Sequence, residues 1–178
     1  SKTAGSVLAL MALPAQTPLA FGSKAAYVIM GAVLAVELAL HISGGGVFVL
    51  DDNPTILENI SLQQSLWAAL KKNPFRAVTY AVNWANYQAS GFDAQRFHMV
   101  NAGLHMAVSV LVFFLVRELS GENSAAAATL AAAWFALNPV VNFSALYITA
   151  RSTILATLWT LAALLAYFRF ERNGGPLP

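Results

Sequence analysis

The sequence has no cysteine, and only 10% of its 178 residues carry a charge. The first absence excludes disulfide frameworks, thiolate-ligated zinc and thiol catalysis, and leaves the redox compartment open. The second absence decides more. Soluble domains carry about 25% charged residues, and a soluble fold of this length needs them to cover its surface. Here 58% of residues are hydrophobic and the mean hydropathy is +0.61. An excess of one charge sign is lacking too. Ten Lys and Arg stand against eight Asp and Glu, scattered along the chain. There is no electrostatic footprint for a phosphate backbone, so nucleic acid is not an expected partner. A soluble enzyme and a disordered chain are excluded as well. The class that remains is an all-α integral membrane protein.

Long charge-free runs set the expected architecture. No charge falls between Arg96 and Arg117, between Glu122 and Arg151, or between Arg151 and Arg169. A helix needs about 20 apolar residues to cross the hydrocarbon core. A further apolar stretch, Ala25 to Ile42, is interrupted only by Glu37. Four membrane helices are expected, at about 25–42, 97–117, 124–137 and 152–169. The third is cut by Asn138-Pro139, because proline lacks the N–H and clashes with the preceding turn. Either the helix kinks there, or a short helix ends and residues 140–150 return as a re-entrant or interfacial piece, which is the favoured reading. Such backbone is tolerated at membrane depth only against protein or a wet cavity. Alanines at 125–128 and 131–133 allow close helix approach, or serve only as good helix formers.

Short loops give the orientation. Lys2, Lys24, Arg117, Arg169 and Arg172 fall on one side, which the positive-inside rule makes cytoplasmic. Lys71, Lys72, Arg76, Arg96 and Arg151 fall on the other. The N-terminus is therefore expected in the cytoplasm and loop 43–96 outside it. Residues 7–13 are apolar but too short to span, and 1–24 reads as an interfacial segment rather than a cleaved signal. Residues 171–178 read as a tail. Loop 43–96 is too long for a simple turn and has its own periodicity. Ser61 with Gln64 fits a capping box, followed by an apolar face of Leu62, Leu66, Trp67 and Leu70. Tyr80, Trp84 and Tyr87 then share one helical face. Two amphipathic helices on the outer leaflet are expected, with packing against a neighbouring subunit as the alternative.

Several polar residues in this apolar setting could carry chemistry. Asp51-Asp52 follows the first span. One could act as a general base while its neighbour tunes it or helps hold a divalent metal; the plain alternative is turn chemistry before Asn53-Pro54. His98, Asn101 and His105 share one stripe of the second span, and polar groups there face a bundle interior or a wet cavity. They could bind a headgroup, ligate a metal, haem or chlorophyll, or only hydrogen-bond between helices. Glu37 and His41 are four apart and can pair. Arg151 stands alone between apolar stretches, where its planar fork suits phosphate or where it snorkels to headgroups.

The order of these pieces resembles a known family. It runs Phe48-Val-Leu-Asp51-Asp52, Ile56-Leu57-Glu58-Asn59, Pro74-Phe75-Arg76, Phe97-His98-x-x-Asn101-x-x-x-His105, Asn138-Pro139 and Tyr147-Ile-x-x-Arg151-Ser152. Over about residues 25–170 the chain is similar to the N-terminal membrane module of the tetratricopeptide-tailed O-mannosyltransferase-like proteins, a polytopic family with the GT-C glycosyltransferase fold and many bacterial relatives. The resemblance implies sugar transfer from a polyprenyl-phosphate carrier on the non-cytoplasmic face, and through the bacterial relatives it implies a bacterial inner membrane. It makes Asp51 or Asp52 the base for the acceptor hydroxyl and places Arg151 near the carrier phosphate. Arg76, His98, Asn101 and His105 match further motif positions. Asn138 departs from the histidine usual before that proline. The family module has further helices, so a partial or split module is expected. On this basis Asp52→Asn and Arg151→Ala are expected to abolish transfer without unfolding the chain. The rival expectations are a non-catalytic subunit of a larger membrane complex and, behind it, a haem- or chlorophyll-ligating subunit.

Overall fold

The computed structural model describes residues 22–43, 46–120 and 124–172. The expected N-terminal interfacial segment and the tail from residue 173 lie outside the described residues, apart from Gly22 to Lys24 at the first helix. Among the described residues there are seven α-helices and no strand. They are α1 (Ser23–Ser43), α2 (Leu66–Lys72), α3 (Ala77–Ser90), α4 (Ala94–Ser120), α5 (Ala125–Leu137), α6 (Pro139–Leu146) and α7 (Arg151–Arg172). Helices α1, α4 and the stretch Ile148–Arg172 are long and apolar enough to cross a membrane, and α5 with α6 makes a fourth if the bent pair is one span. The chain is an all-α membrane protein. The first, second and fourth spans run slightly beyond their expected limits, α5 matches its own to within one residue, and Glu171 and Arg172 belong to α7 rather than to the tail.

The third span breaks where proline dictates. Helices α5 and α6 meet at 54° across Asn138. Pro139 cannot donate to α5 but is at home in the first turn of α6. The Asn138 side chain caps α6, its Oδ1 accepting from the Val140 and Val141 N–H groups at 2.9 and 3.4 Å.

Alanine does the close packing on α5. Ala125, Ala128 and Ala132 join Ala26, Met30 and Phe113 in one buried cluster between α1, α4 and α5. Large apolar side chains instead point away from the bundle: Val28, Leu40, Leu130, Trp134 and Trp159 are all exposed, as suits helices solvated by lipid. The short-loop cations collect at this end. Arg117 donates to the Tyr27 hydroxyl at 2.7 Å, and Arg169 and Arg172 both pair with Glu118.

The opposite end carries loop 46–93. It is folded onto the bundle through a second apolar cluster of Ile56, Leu62, Ala69, Phe97 and Ile148, with Trp84 and Tyr87 packed against it. Trp84 and Tyr87, partly buried, therefore pack against the chain's own core. The expected capping box at Ser61 does not form. The Asn59 side chain takes both the Ser61 N–H and its hydroxyl, holding Ile60–Gln63 as a 3-10 turn. Helix α2 starts later, capped by Ser65 on the Ala68 N–H. Backbone approach is closest at Gly46, where a Cβ would overlap the Gln95 backbone.

Candidate functional site

Asp51 and Asp52 leave the turn that follows Leu50, whose φ of 46° places a non-glycine residue in the left-handed region. That conformation costs a leucine about 1 kcal/mol or more. It sends the two carboxylates different ways. Asp52 is fully buried. Its Oδ2 accepts from the Val49 N–H at 3.1 Å, and its Oδ1 accepts from the Thr149 N–H at 2.9 Å and the Thr149 hydroxyl at 2.7 Å. Both oxygens are committed, so Asp52 ties the first loop to the turn Ile148–Ala150. Asp51 is exposed, and its Oδ2 accepts one hydrogen bond, from the Tyr147 hydroxyl at 2.8 Å. Partial burial, and next the Asp51 carboxylate, hold the Tyr147 phenol above its ordinary range. The two carboxylates take different hydrogen-bond partners, Tyr147 for Asp51 and Thr149 with Val49 for Asp52. Among the described residues no group of three or more His, Cys, Asp or Glu is arranged to hold a metal.

Arg151 begins α7 and is 0% exposed. Its Nε donates to Asn101 Oδ1 at 2.6 Å, Nη1 to Asn83 Oδ1 at 2.7 Å, and Nη2 to Asn86 Oδ1 at 3.2 Å and to the Phe97 carbonyl at 3.0 Å. The Phe97 ring lies against the guanidinium, 5.4 Å from its carbon. Every partner is neutral. The opposite charge whose field reaches Arg151 is Asp52, held two residues upstream through Thr149 without touching it. Asn101 is itself saturated, because its Nδ2 donates to the Tyr147 carbonyl at 3.2 Å and lies 3.5 Å from that of Ile148. The arginine thus ties α3, α4 and α7 into one polar knot, and its fork turns inward.

The remaining candidates scatter. His98 places Nε2 3.0 Å from the Val47 carbonyl, pinning the first loop to α4. Arg76 is exposed in the turn Pro74–Arg76, where its backbone N–H donates to the Asn73 carbonyl and its guanidinium makes no hydrogen bond or ion pair among the described residues. The Glu37 and His41 side chains do not pair with each other. His41 Nδ1 folds back on the Glu37 backbone carbonyl at 2.8 Å, while the Glu37 carboxylate reaches across to His105, Oε1 to Nδ1 2.6 Å. The helix geometry explains this: a short i to i+4 return satisfies the imidazole Nδ1 locally, leaving Nε2 buried without a partner, and frees the longer glutamate for the facing helix.

Four residues of this site escape a reading of the sequence: Asn83, Asn86, Tyr147 as a hydrogen-bond donor, and Thr149. Asn83 and Asn86 did leave a signal. With Thr79 they fall at i, i+4 and i+7 on the stripe of α3 that is buried, beside the aromatic stripe that drew attention first.

Comparisons with known proteins point the same way as the motif order. The chain is 29% identical to human protein O-mannosyl-transferase TMTC4 over 83% of this chain and 23% of that protein. It is 27% identical to human protein O-mannosyl-transferase TMTC3 over 72% of this chain and 15% of that protein. A Caenorhabditis elegans protein O-mannosyl-transferase is 26% identical over 70% and 20%. These relatives are similar at low identity over most of the chain, which spans less than a quarter of their length. No protein-family model matches the chain, and no solved structure matches it significantly.

Proposed function

We propose that this chain is the outer-face membrane portion of a GT-C-type glycosyltransferase, partial or split, that moves a sugar from a polyprenyl-phosphate carrier to a hydroxyl acceptor. The names of its relatives favour mannose. The observation that carries the reading is the sorting of the acidic pair: Asp52 is spent inside, and Asp51 stands exposed with one hydrogen bond. An exposed carboxylate held by a single phenol is free to take a proton. Asp51 removes the acceptor proton, the acceptor oxygen attacks the anomeric carbon, and the bond to the carrier phosphate breaks with its electron pair on phosphate. Arg151 serves as a positioning residue that fixes the frame behind Asp52, and Arg76 is an exposed cation available to the phosphate. Loop 46–93 faces the non-cytoplasmic side. The bacterial inner membrane assignment rests on the motif resemblance, since the named relatives are animal proteins.

The test is substrate class. Membranes carrying the protein are given mannosyl-phosphoryl-polyprenol or GDP-mannose together with a serine- and threonine-containing peptide. Transfer is expected from the lipid-linked donor alone. Transfer from the nucleotide sugar in the absence of lipid carrier contradicts the reading.

The second reading is a non-catalytic subunit of a membrane complex. It is favoured by the saturation of Arg151 with protein acceptors and by the large exposed apolar residues of α5 and α7. Its mark is stoichiometric co-purification with other membrane subunits and full tolerance of Asp51→Asn.

A further inference from the structure

Loop 46–93 is divided by charge. Between Glu58 and Asp93 the chain has three basic residues, Lys71, Lys72 and Arg76, and no acidic one. They gather at the elbow where α2 ends, the turn Pro74–Arg76 follows and α3 begins. All three are exposed. The next cation along, Arg96, is paired with Asp93. None of the three at the elbow makes an ion pair among the described residues.

The same elbow leaves large apolar side chains uncovered. Phe75 is 100% exposed, Trp67 64% and Val78 54%. Helix α2 turns Ala69 into the core. Trp67 and Lys71, four residues apart, share another face, with the Lys71 Nζ 5.2 Å from the centre of the Trp67 ring. The aromatic stripe of α3 is engaged elsewhere. Trp84 and Tyr87 pack on the core, and Trp84 Nε1 donates to the Gln64 carbonyl. Arg151 sets the level of α3. It opens α7, it bonds Asn83 and Asn86 of α3, and it donates to the Phe97 carbonyl near the start of α4. Helix α3 therefore lies at the mouths of two spans. Phe75 stands eight residues before Asn83, about 12 Å at a helical rise.

We propose that the elbow, residues 66–78, docks on an anionic phospholipid leaflet, with Trp67, Phe75 and Val78 entering below the headgroups and Lys71, Lys72 and Arg76 binding their phosphates. An exposed apolar patch rimmed by polar residues marks a surface that meets a partner or a membrane. Aromatic rings favour the membrane interface. Lysine and arginine lay their stems along apolar surface and keep their charge in water, and such surfaces gain both from buried apolar area and from anionic lipid. Charge complementarity selects this occupant. A second copy in a symmetric contact would bring three cations against three, and like charges across an interface are costly. One carrier phosphate would leave cations unmatched, whereas a leaflet offers each its own headgroup. The surface does not depend on sugar transfer. Arg76 is shared with the carrier-phosphate reading above, but Lys71 and Lys72 are not, so the test is made on the lysines.

The cysteine-free chain is given Val78→Cys, labelled with acrylodan, an uncharged dye whose emission separates apolar from aqueous surroundings. It is placed in nanodiscs of phosphatidylcholine alone or with a third phosphatidylglycerol. Both faces of a nanodisc carry the same lipid, so the result is independent of orientation. Each cation near an anionic surface contributes about a fivefold factor. The inserted-to-exposed ratio is therefore expected to be about tenfold or more higher with phosphatidylglycerol. Lys71→Gln with Lys72→Gln lowers that ratio by about tenfold or more, and Phe75→Ser lowers it in both lipids. The lipid comparison on the elbow with both lysines does not depend on these variants folding. The label at Ala89→Cys, exposed at the far end of α3, is expected to emit alike in the two lipids. Equal ratios in the two lipids at Val78, or an equal response at Ala89, overturn the proposal. Protection in native membranes without any in phosphatidylglycerol nanodiscs also overturns it, and assigns the elbow to an acidic protein partner. So does a full response from phosphatidylcholine carrying polyprenyl phosphate as about one lipid in a hundred, which gives the elbow to the carrier.

Discussion

Replacing Arg151 with alanine removes four hydrogen bonds at once and strands the Oδ1 atoms of Asn83, Asn86 and Asn101 in the interior. A buried acceptor left unmade costs about 1–3 kcal/mol, so Arg151→Ala is expected to cost several, with a large drop in melting temperature in detergent. The expectation from sequence, loss of transfer with the fold intact, gives way to this. Arg151→Lys fares little better, because a point charge cannot span acceptors arranged for a planar fork. Tyr147 gives a milder test. Its phenol is raised by partial burial and then by Asp51, so the folded state favours its protonated form. That contribution is whole below the ordinary tyrosine range and is lost as pH climbs through the raised value. An ultraviolet difference titration of the native chain against Tyr147→Phe should show one phenol ionising later than a free one. At this scale the sequence announces that Asp52, Asn101 and Arg151 matter, because polar groups in an apolar chain are costly. It does not announce their partners, which lie dozens of residues away. It also cannot tell Asp51 from Asp52, since that choice is made by the backbone at Leu50.

At the scale of the element, the bend between α5 and α6 is the feature most open to test. The Asn138 side chain satisfies two N–H groups that Pro139 leaves without partners in the preceding helix. Asn138→Ala should cost about 1 kcal/mol and expose the Val140 and Val141 amides to hydrogen exchange. Unchanged exchange at those two amides would mean that the cap contributes nothing. The break itself is legible from Asn138-Pro139, and the long helices from their charge-free runs. The loop elements are less so. Whether Trp84 and Tyr87 face lipid or protein depends on what packs beside α3, and periodicity alone carries no such information. The start of α2 was misplaced because Asn59 outcompetes Gln64 for Ser61, a choice between two local hydrogen bonds of similar strength.

For the whole molecule, the native absence of cysteine makes topology measurable. Lys24 and Val47 lie at opposite ends of α1 and are both exposed. In intact cells a membrane-impermeant maleimide should label a cysteine at Val47 and spare one at Lys24. Equal labelling of both, or the reverse, contradicts the orientation. The gathering of Arg117, Arg169 and Arg172 about Glu118 and Tyr27 at one end, with the acidic pair at the other, follows from the order of spans and was readable from charge positions. The Glu37–His105 tie that fastens α1 to α4 was not, because a nearer histidine offered itself at i+4.

The central claim is the division of labour between two adjacent aspartates, and it is tested most directly by measuring melting temperature and sugar transfer on the same preparations of Asp51→Asn and Asp52→Asn. An asparagine at 52 turns an amide toward N–H donors and should cost about 2 kcal/mol, while one at 51 should leave stability within about 0.5 kcal/mol. The predicted result is an Asp51→Asn protein that melts like the native chain and has lost transfer by about 100-fold or more, beside an Asp52→Asn protein that melts markedly earlier. Native transfer by Asp51→Asn, or a stability loss confined to position 51, would contradict it.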